Sequence, residues 1–441
     1  MSVPAYDSYK ASGVDWLGEV PTHWSIAQTK REFRRRKVIN TGMTCQDRLA
    51  LTMKGVVPRD LHDLDGLQSS DYEGYQIFEA GDLAFKLIDL QNVKTSRVGM
   101  VHSRGIMSPA YIRLEPSTPE VARYGFWYFM ALYWTQVFNN LGGGVRQTLG
   151  PEELLTVPFP LPPPAEQFAI AAFLDREAGK IDALVEAQAR LIELLKEKRQ
   201  AVISHAVTKG LDLAASMKDA GVEWLGEVPE DWQLTRVKYA ASHVVDCLHT
   251  TPTYDGELEY PAIRTADVVR GRLLLDGARL VSREIYEERI QRLRPEADDI
   301  LYTREGERFG LAALVPPGID LCLGQRMMMI RIEREYDPAY IMWVLNSDPV
   351  YQQVLSGVTG ATSPHVNISE VINFHVPVPP LGEQRAIAAH ILASTAGLDR
   401  LASEAEAATR LLQERRAALV WAAVTGKIDV RGLAHEQAEA A

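Results

Sequence analysis

Six of the eight residues at 30–37, KREFRRRK, are lysine or arginine, and only Glu32 is acidic. Clustered cations of this kind can neutralise the phosphates of a nucleic acid. The chain as a whole has a formal net charge of −11, which argues against indiscriminate binding to nucleic acid. Net charge is a sum over every surface, however, so a local basic face is compatible with it. The run is equally typical of a solvated helix face, and both interpretations stay open.

Cysteine and histidine, the usual ligands of zinc, are scattered along the chain. Cys45, Cys247 and Cys322 form no CxxC pair, and the ten histidines form no HExxH motif. A structural zinc ion needs four converging ligands, which are usually close in sequence. We therefore predict no metal site and interpret the cysteines as buried or half-buried thiols. No glycine-rich phosphate or dinucleotide motif is present either, so we expect no cofactor.

Residues 337–340 read DPAY, one residue away from the DPPY box of adenine methyltransferases. Aspartate followed by proline is also a common opening of an α-helix, with the aspartate as N-cap and the proline in the first turn. Because no cofactor fingerprint accompanies the motif, we favour the helix start. An autonomous methyltransferase remains a rival, which cofactor binding by the isolated chain would identify.

Two blocks of the sequence each occur twice. Residues 12–24, SGVDWLGEVPTHW, and residues 220–232, AGVEWLGEVPEDW, are identical at nine of thirteen positions at an offset of 208. Residues 160–172, PLPPPAEQFAIAA, and 377–389, PVPPLGEQRAIAA, are again identical at nine of thirteen positions, now at an offset of 217. Such internal repeats determine how the rest of the chain is interpreted.

Between the repeated blocks, at about 27–155 and 235–372, the two halves share little sequence. Each half therefore has a fixed opening, a variable region, a proline-rich turn and a long helix. We interpret this order as a duplicated frame that presents two unlike surfaces. A chain of 441 residues is also long enough for two to four folding units.

The segments after the proline-rich turns are predicted to be long helices, opened by Glu166–Gln167 and Glu383–Gln384 at the positive end of the helix dipole. Their apolar residues form one narrow stripe, so each helix needs a partner, and the simplest partner is the other helix. About 40 residues of helix span roughly 60 Å, which suits a spacer. The residues predicted to form this helix interface are Ile170, Leu174, Ile181, Leu184, Leu191, Leu195, Ile387, Ile391, Leu398, Leu401, Leu412 and Leu419.

The variable regions are predicted to mix α and β structure. Apolar runs at 99–102 and 327–332 are typical of strands, whereas 123–138 and 338–345 favour helices rich in aromatic residues, which we assign to the core. Tryptophan buries a large area, so the four in the opening boxes are interpreted as packing anchors: Trp16, Trp24, Trp224 and Trp232.

The two Trp-Leu-Gly-Glu-Val-Pro boxes and the two Pro-Pro-x-x-Glu-Gln-x-x-Ile-Ala boxes resemble the specificity subunits of Type I restriction-modification systems, over nearly the whole chain. The resemblance implies an α+β fold with a pseudo-two-fold repeat, in which two long antiparallel coiled-coil helices separate two similar α/β domains. It places target recognition domains at 1–165 and 214–380, the central helix at 166–213, and the second helix with its tail at 381–441.

The resemblance also implies a function. Such a subunit is not an enzyme: it binds a split, asymmetric target in double-stranded DNA and docks two methyltransferase subunits and the restriction subunits. The second helix departs from the pattern because it is alanine-rich at 403–409, which puts tight pairing in doubt. Two alternatives remain open, namely the specificity subunit of a related methylase-nuclease assembly outside Type I and a coiled-coil adaptor without a DNA role.

No apolar run approaches the length of a membrane span, and the first ten residues, MSVPAYDSYK, do not read as a signal peptide. We therefore expect a cytoplasmic protein. Since helices of fixed length set the spacing of the two domains, we expect half-sites roughly one DNA turn apart. A duplication of this kind also predicts that the two ends of the chain lie close together.

Under this resemblance, arginine would read guanine, and asparagine or glutamine would read adenine. Glycines that permit a close approach to a backbone precede polar side chains at 142–150, GGGVRQTLG, and the aligned loop of the second half is 359–367, TGATSPHVN. With the basic run and the loops near residues 86 and 304, the predicted DNA-binding residues are Lys30, Arg35, Lys86, Arg146, Gln147, Thr148, Arg304, Arg308, Ser363, His365 and Asn367.

Overall fold

A computed structural model describes residues 4–61, 72–91, 96–143, 147–306, 308–357 and 365–434. The chain divides into two units: unit 1 is Met1–Ala189 with Ala407–Ala441, and unit 2 is Arg190–Glu406. Each unit thus contains a part of both long helices. The predicted domain limits instead treated each helix as a segment separate from the two recognition domains. Unit 1 holds both ends of the chain, and the Asp429 N–H donates to the Pro4 carbonyl at 2.7 Å. The prediction that the ends lie close together is confirmed.

Unit 1 opens with a small hairpin, continues through two four-stranded sheets, and reaches the first long helix through a short antiparallel pair. Its elements are β1 (Tyr9–Ala11), β2 (Glu19–Pro21), β3 (Ser25–Gln28), β4 (Phe33–Arg35), β5 (Arg48–Thr52), β6 (Gly55–Arg59), β7 (Gln76–Phe78), β8 (Leu83–Phe85), β9 (Val98–Met100), β10 (Gly105–Met107), β11 (Ile112–Pro116), α1 (Pro119–Trp134), α2 (Val137–Leu141), α3 (Pro151–Thr156), β12 (Pro158–Leu161) and the start of α4 (Pro164–Lys209).

Unit 2 has a similar order of elements, with one more strand and additional short helices. Its elements are the end of α4, β13 (Met217–Asp219), β14 (Glu227–Pro229), β15 (Gln233–Arg236), α5 (Val237–Ala240), β16 (Ala241–Asp246), β17 (Tyr260–Ile263), β18 (Val268–Val269), β19 (Arg272–Leu273), β20 (Arg279–Val281), α6 (Arg283–Arg289), β21 (Ile300–Thr303), β22 (Ala312–Leu314), β23 (Cys322–Leu323), β24 (Met327–Ile332), α7 (Pro338–Leu345), α8 (Asp348–Gly357), α9 (Ile368–Val371), β25 (His375–Val378) and the start of α10 (Leu381–Val424).

The variable regions share a topology although their sequences differ. One antiparallel sheet has the order β4-β11-β8-β9 in unit 1 and β16-β24-β21-β22 in unit 2. Beside it, β10 runs parallel to β5 and β23 runs parallel to β17. The predicted α+β class with an internal repeat is therefore what the two units show.

In both units, a buried ion pair links an arginine in one strand of this sheet (β11 or β24) to the aspartate just before another (β8 or β21). In unit 1, Arg113 Nε lies 2.6 Å from Asp82 Oδ2, and both side chains are 3% exposed. In unit 2, Arg331 Nη2 lies 2.8 Å from Asp299 Oδ2, with the arginine 22% exposed. Burial raises the pKa of Asp82, while the Glu79 N–H and Arg113 oppose that rise. The ion pair is thus repeated in both units, although it lies outside the two repeated boxes.

The long helices meet inside each unit, one at its beginning and the other at its end. In unit 1, Ile170 and Leu174 of α4 share a core with Val420 and Val424 of α10. In unit 2, the core joins residues near the end of α4 to residues near the start of α10, namely Ile203, Val207, Ile387 and Ile391. Each contact is antiparallel, because the beginning of one helix lies against the end of the other.

Each long helix ends at a glycine. Gly210 and Gly426 have φ of 74° and 70°, the left-handed conformation that commonly closes a helix. The helices therefore stop at Lys209 and Val424, a few residues before the predicted helix ends at about 213 and 429.

Part of the predicted helix interface is exposed. Leu184, Leu191 and Leu401 are 51%, 42% and 46% exposed, so they do not line a packed seam. The reason is that the helix ends are buried largely against the aromatic helices α1 and α7, rather than along a continuous stripe. The other predicted interface residues are buried or half-buried: Ile170, Leu174, Ile181, Leu195, Ile387, Ile391, Leu398, Leu412 and Leu419.

A tryptophan of each opening box binds the glutamate that opens a long helix. Trp24 Nε1 donates to Glu166 Oε1 at 3.0 Å, and Trp232 Nε1 donates to Glu383 Oε2 at 3.3 Å. Both indoles are at most 1% exposed, so their role as packing anchors is confirmed. Trp16 is half-buried against the core of unit 1. The prediction is wrong for Trp224, which is 37% exposed at the same box position in unit 2.

The arginine that bridges the helices also repeats. Arg416 Nε lies 2.8 Å from Asp182 and its guanidinium lies 5.7 Å from the Trp127 ring. In unit 2, Arg199 Nε lies 2.8 Å from Asp399, and its guanidinium lies 5.7 Å from the Trp343 ring. A cation held between a carboxylate and an aromatic face thus ties both long helices to the aromatic helix of each unit.

Three local predictions can be compared with the structure. Asp337 Oδ1 accepts the Tyr340 N–H at 2.9 Å, so the DPAY segment is the capped start of α7. The aromatic segment predicted at 123–138 is two helices, since Gln136 adopts φ 59° between α1 and α2. The basic run at 30–37 is a 3₁₀ turn followed by strand β4, not a helix face.

All three cysteines are buried and free. Within the described residues, no group of three or more histidine, cysteine, aspartate or glutamate side chains could hold a metal ion. No helix in that part of the chain combines the length and apolar character that a bilayer crossing requires.

Candidate nucleic-acid interface

In each unit, the loop after the third strand of the shared sheet pairs with the predicted glycine-containing loop. The Leu149 N–H donates to the Leu87 carbonyl in unit 1, and the Val366 N–H donates to the Arg304 carbonyl in unit 2, both at 2.9 Å. Arg304 and Val366 follow Leu87 and Leu149, respectively, by 217 positions, which is the offset of the second repeated block. We call residues 86–90 with 147–151, and residues 304–306 with 365–367, the paired loops of units 1 and 2.

The paired loops of unit 1 lie beside the basic run. A cleft of about 210 Å³ is lined by Arg35, Arg36 and Lys37 on one side and by Leu87, Ile88 and Thr148 to Pro151 on the other. The structure therefore brings together two predicted site residues, Arg35 and Thr148. Gln147 lies in the same loop with φ 43°, whereas Lys30 is exposed on the 3₁₀ turn. Arg146 lies outside the described residues.

The cations of the basic run differ in how far they are neutralised. Arg34 Nε and Arg36 Nη1 lie 2.7 and 3.1 Å from Glu115 Oε2, and their hydrogen bonds lower the pKa of Glu115. Arg35 lies 3.8 Å from Glu152, a carboxylate that is 81% exposed, and Lys37 is exposed. Because solvent weakens a pair such as Arg35–Glu152, Arg35 and Lys37 are the cations best placed to meet an external anion.

Lys86 is half-buried directly after β8. Burial lowers the pKa of its ammonium group, and the neighbouring Arg97 lowers it further. Lys86 is thus a partly desolvated cation, next in sequence to Leu87, which lines the cleft.

In unit 2, the structure corrects one predicted site residue. Arg304 is only 7% exposed, and its Nη1 binds Asp246 Oδ1 at 2.5 Å. It occupies the position that Leu87 holds in unit 1, a core position, so its guanidinium is not presented to a ligand. Arg308 is exposed and donates to the Ala266 carbonyl at 2.7 Å.

The second loop of unit 2 is exposed where it is described. His365 and Asn367 are exposed, and His365 forms an isolated bridge with Glu305 of the first loop. Asn367 is the N-cap residue of α9, and its N–H donates to Glu370 Oε2 at 2.6 Å. Ser363 lies outside the described residues.

A third loop, before β11 or β24, also contacts the paired loops. In unit 1, Ala110 and Tyr111 line the cleft. In unit 2, the Arg304 N–H donates to the Arg326 carbonyl at 3.0 Å, and the exposed Arg326 side chain pairs with Glu305 at 3.2 Å. Sequence reasoning missed these residues, although their place before a strand of the repeated sheet could have indicated them.

Unit 2 also has a larger basic cleft, of about 910 Å³, which Arg308 lines. Arg199 in this cleft binds Asp399 and is partly neutralised. The cleft shows that an acidic chain has local basic surfaces in unit 2 as well. Its cationic residues are Lys196, Arg199, Arg270, Arg272 and Arg308.

No protein-family model matches the chain. It is 21% identical over 339 residues to the Type I restriction enzyme MjaVIII specificity subunit of Methanocaldococcus jannaschii, covering 75% of this chain and 76% of the relative. It is 20% identical over 435 residues to the putative type I restriction enzyme MjaX specificity subunit of the same organism, covering 94% and 96%. Over most of its length, the chain is thus similar in sequence to Type I restriction enzyme specificity subunits.

A solved structure supports the fold. It comes from a study of complex assembly and conformational transition of the type I R-M system, and the TM-score is 0.64 at 14% identity, covering 92% of this chain and 98% of that one. At this identity the likeness concerns the fold alone.

Proposed function

We propose that this chain is the DNA-sequence-recognition subunit of a Type I restriction-modification complex, and that each unit reads one half of a split, asymmetric target in double-stranded DNA. The observation that supports this most is the pair of loops joined by the same 2.9 Å backbone hydrogen bond in both units. The frame around the loops is duplicated, whereas their side chains differ. Two similar supports with unlike polar loops suit the reading of two different base sequences.

Within unit 1, Arg35, Lys37 and Lys86 would contact phosphates, because phosphate contacts position a protein without reading sequence. Gln147 and Thr148 are the described polar side chains of the glycine loop, and they would reach base edges. In unit 2, His365, Asn367 and Arg326 hold the corresponding places, with Arg308 as a phosphate ligand. Arg304 is withdrawn from this role because of its burial.

The long helices would dock the partner subunits. Leu184, Leu191 and Leu401 are large apolar residues exposed on α4 and α10, and a partner that covered them would remove apolar surface from water. We propose two methyltransferase subunits and the restriction subunits as partners. The chain itself would be non-catalytic, would need no cofactor, and would act in the cytoplasm, where the complex meets its DNA.

Mapping methylated adenines across the genome, with and without this gene, tests the proposal. The expected result is that loss of the gene removes methylation at one bipartite motif and leaves other motifs unchanged. An unchanged methylation map in a strain that expresses the partner methyltransferase would contradict it, and so would loss of an undivided motif.

A further inference from the structure

In unit 1, a buried arginine holds the first of the paired loops. Arg97 is 1% exposed, and its Nη1 donates to the carbonyls of Lys86 and Ile88 at 3.4 and 3.2 Å. Its Nη2 donates to the Asp89 carbonyl. A planar guanidinium presents several donors in a fixed geometry, so one side chain fixes the path of three loop residues.

The loop has a conformation that needs such support. Asp89 adopts φ 54°, a region that residues other than glycine enter at a cost, and such a conformation persists only when its surroundings hold it. The guanidinium of Arg97 binds the carbonyl of this same residue. Removing it would therefore release the loop at its strained point.

In unit 2, a different arginine does the equivalent work. Arg304 lies within the first loop, its Nε donates to the Val366 carbonyl at 3.1 Å, and its Nη1 binds Asp246 Oδ1. Its backbone also accepts the Val366 N–H and donates to the Arg326 carbonyl. Arg304 thus joins the end of β16, the two paired loops and the third loop.

We propose that Arg97 and Arg304 are positioning residues for DNA reading, each fixing the recognition loops of its own unit without touching a base. The proposal rests on the proposed function. Neither residue belongs to the repeated boxes. Arg97 lies just before β9, whereas Arg304 lies just after β21, so equivalent loops are held by arginines at different positions of the fold. Each residue therefore governs the specificity of one half-site only.

The test uses the full chain co-expressed with its methyltransferase subunits, and the readout is the map of methylated adenines. Arg97→Met is expected to lower the preference for the cognate bases of one half-site by about tenfold, the scale of one lost base contact. Arg304→Leu, combined with Asp246→Asn so that no buried charge is left alone, is expected to relax the other half-site. Arg104→Met, at an exposed arginine that pairs with Glu79, is the matched control and should change neither.

The outcomes separate a positioning role from a merely structural one. A purely structural role would lower the amount of methylation at an unchanged motif, which would overturn the proposal, as would relaxation of the same half-site by both variants. If the wild-type chain directs no bipartite methylation at all, the proposed function fails instead. The melting temperature of each variant shows whether it still folds. The Arg97→Lys variant keeps the positive charge but loses the planar guanidinium with its several donors. Its preference for the cognate bases should therefore fall in the same half-site as that of Arg97→Met.

Discussion

Units 1 and 2 share several side-chain contacts of their frame, whereas the side-chain contacts of their loops differ. Trp24 and Trp232 bind the glutamates at the starts of different long helices. By contrast, the paired loops of unit 1 border a cleft lined by arginine and lysine, whereas those of unit 2 are joined through the buried Arg304. The difference teaches that one sheet topology can carry loops that are held by unlike side chains.

The largest expected effect on stability comes from replacing the buried tryptophans, Trp24 and Trp232, and it tests whether the two frames are equivalent. Trp24→Ala and Trp232→Ala should each cost about 3–5 kcal/mol of unfolding free energy, because a large buried side chain is lost and a cavity remains. Chemical denaturation, read by hydrogen exchange in each unit, measures both. Trp224→Ala is the control and should cost less than about 1 kcal/mol, since that indole is 37% exposed. Costs that differ by more than about 2 kcal/mol between the two buried tryptophans would show that the frames are not equivalent.

The ion pairs Arg113–Asp82 and Arg331–Asp299 allow the stability of the two frames to be compared at a second position. Arg113→Met should cost about 3 kcal/mol, because it strands the buried Asp82 carboxylate. Arg331→Met should cost less, about 1–2 kcal/mol, since the arginine is 22% exposed and water can reach its site. Adding Asp82→Asn to Arg113→Met should restore part of the loss, and equal costs for the two arginines would contradict this ranking.

The next prediction concerns the electrostatic contribution of the basic run in unit 1 to DNA binding. Arg35→Ala with Lys37→Ala should weaken binding of the assembled complex to DNA by about tenfold at moderate salt, equally for cognate and non-cognate sequences, and should lower the salt slope by about 2. Fluorescence anisotropy over a range of salt concentrations measures both quantities. Lys10→Ala, an exposed lysine of β1, is the control. A loss confined to the cognate sequence would assign these side chains to base reading instead.

The smallest effect is a pH dependence in unit 2. Burial raises the pKa of Glu383, while its hydrogen bond from Trp232 opposes the rise. Because the folded state then holds the proton more tightly than the unfolded state, this group's contribution to stability falls as pH rises from the unfolded pKa through the folded one. Glu383→Gln should remove that fall, which we expect to be less than about 1 kcal/mol. Denaturation midpoints across mildly acidic pH would show it, and parallel curves for the two proteins would count against it.

Much of the frame could be predicted because it is local or repeated. The boxes gave the long helices and the buried Trp24 and Trp232, and DPAY predicted the cap at Asp337. The helix ends were missed because a glycine acts as a stop only in the left-handed conformation, which sequence does not reveal. The topology of the sheets could not be predicted either, since most strands are three to six residues long and many are buried on both faces, without alternation.

The candidate site was predictable as loops but not as individual residues. The alignment gave the glycine loops as equivalent segments, and the structure places their described residues beside the loops after β8 and β21. It failed at Arg304, because the partner that buries this arginine, Asp246, is 58 residues away in sequence. No local pattern distinguishes an arginine that faces such a partner from one that faces solvent.

Unit 1 contains residues from both ends of the chain, and this arrangement has a consequence for biosynthesis. Val430 is fully buried in its core, beside residues of α1 and the start of α4. All of unit 2 leaves the ribosome before that valine does. The half of the protein that is translated first is therefore the half that finishes folding last, and a premature stop near the end of the message would damage the amino-terminal half while leaving the later one whole.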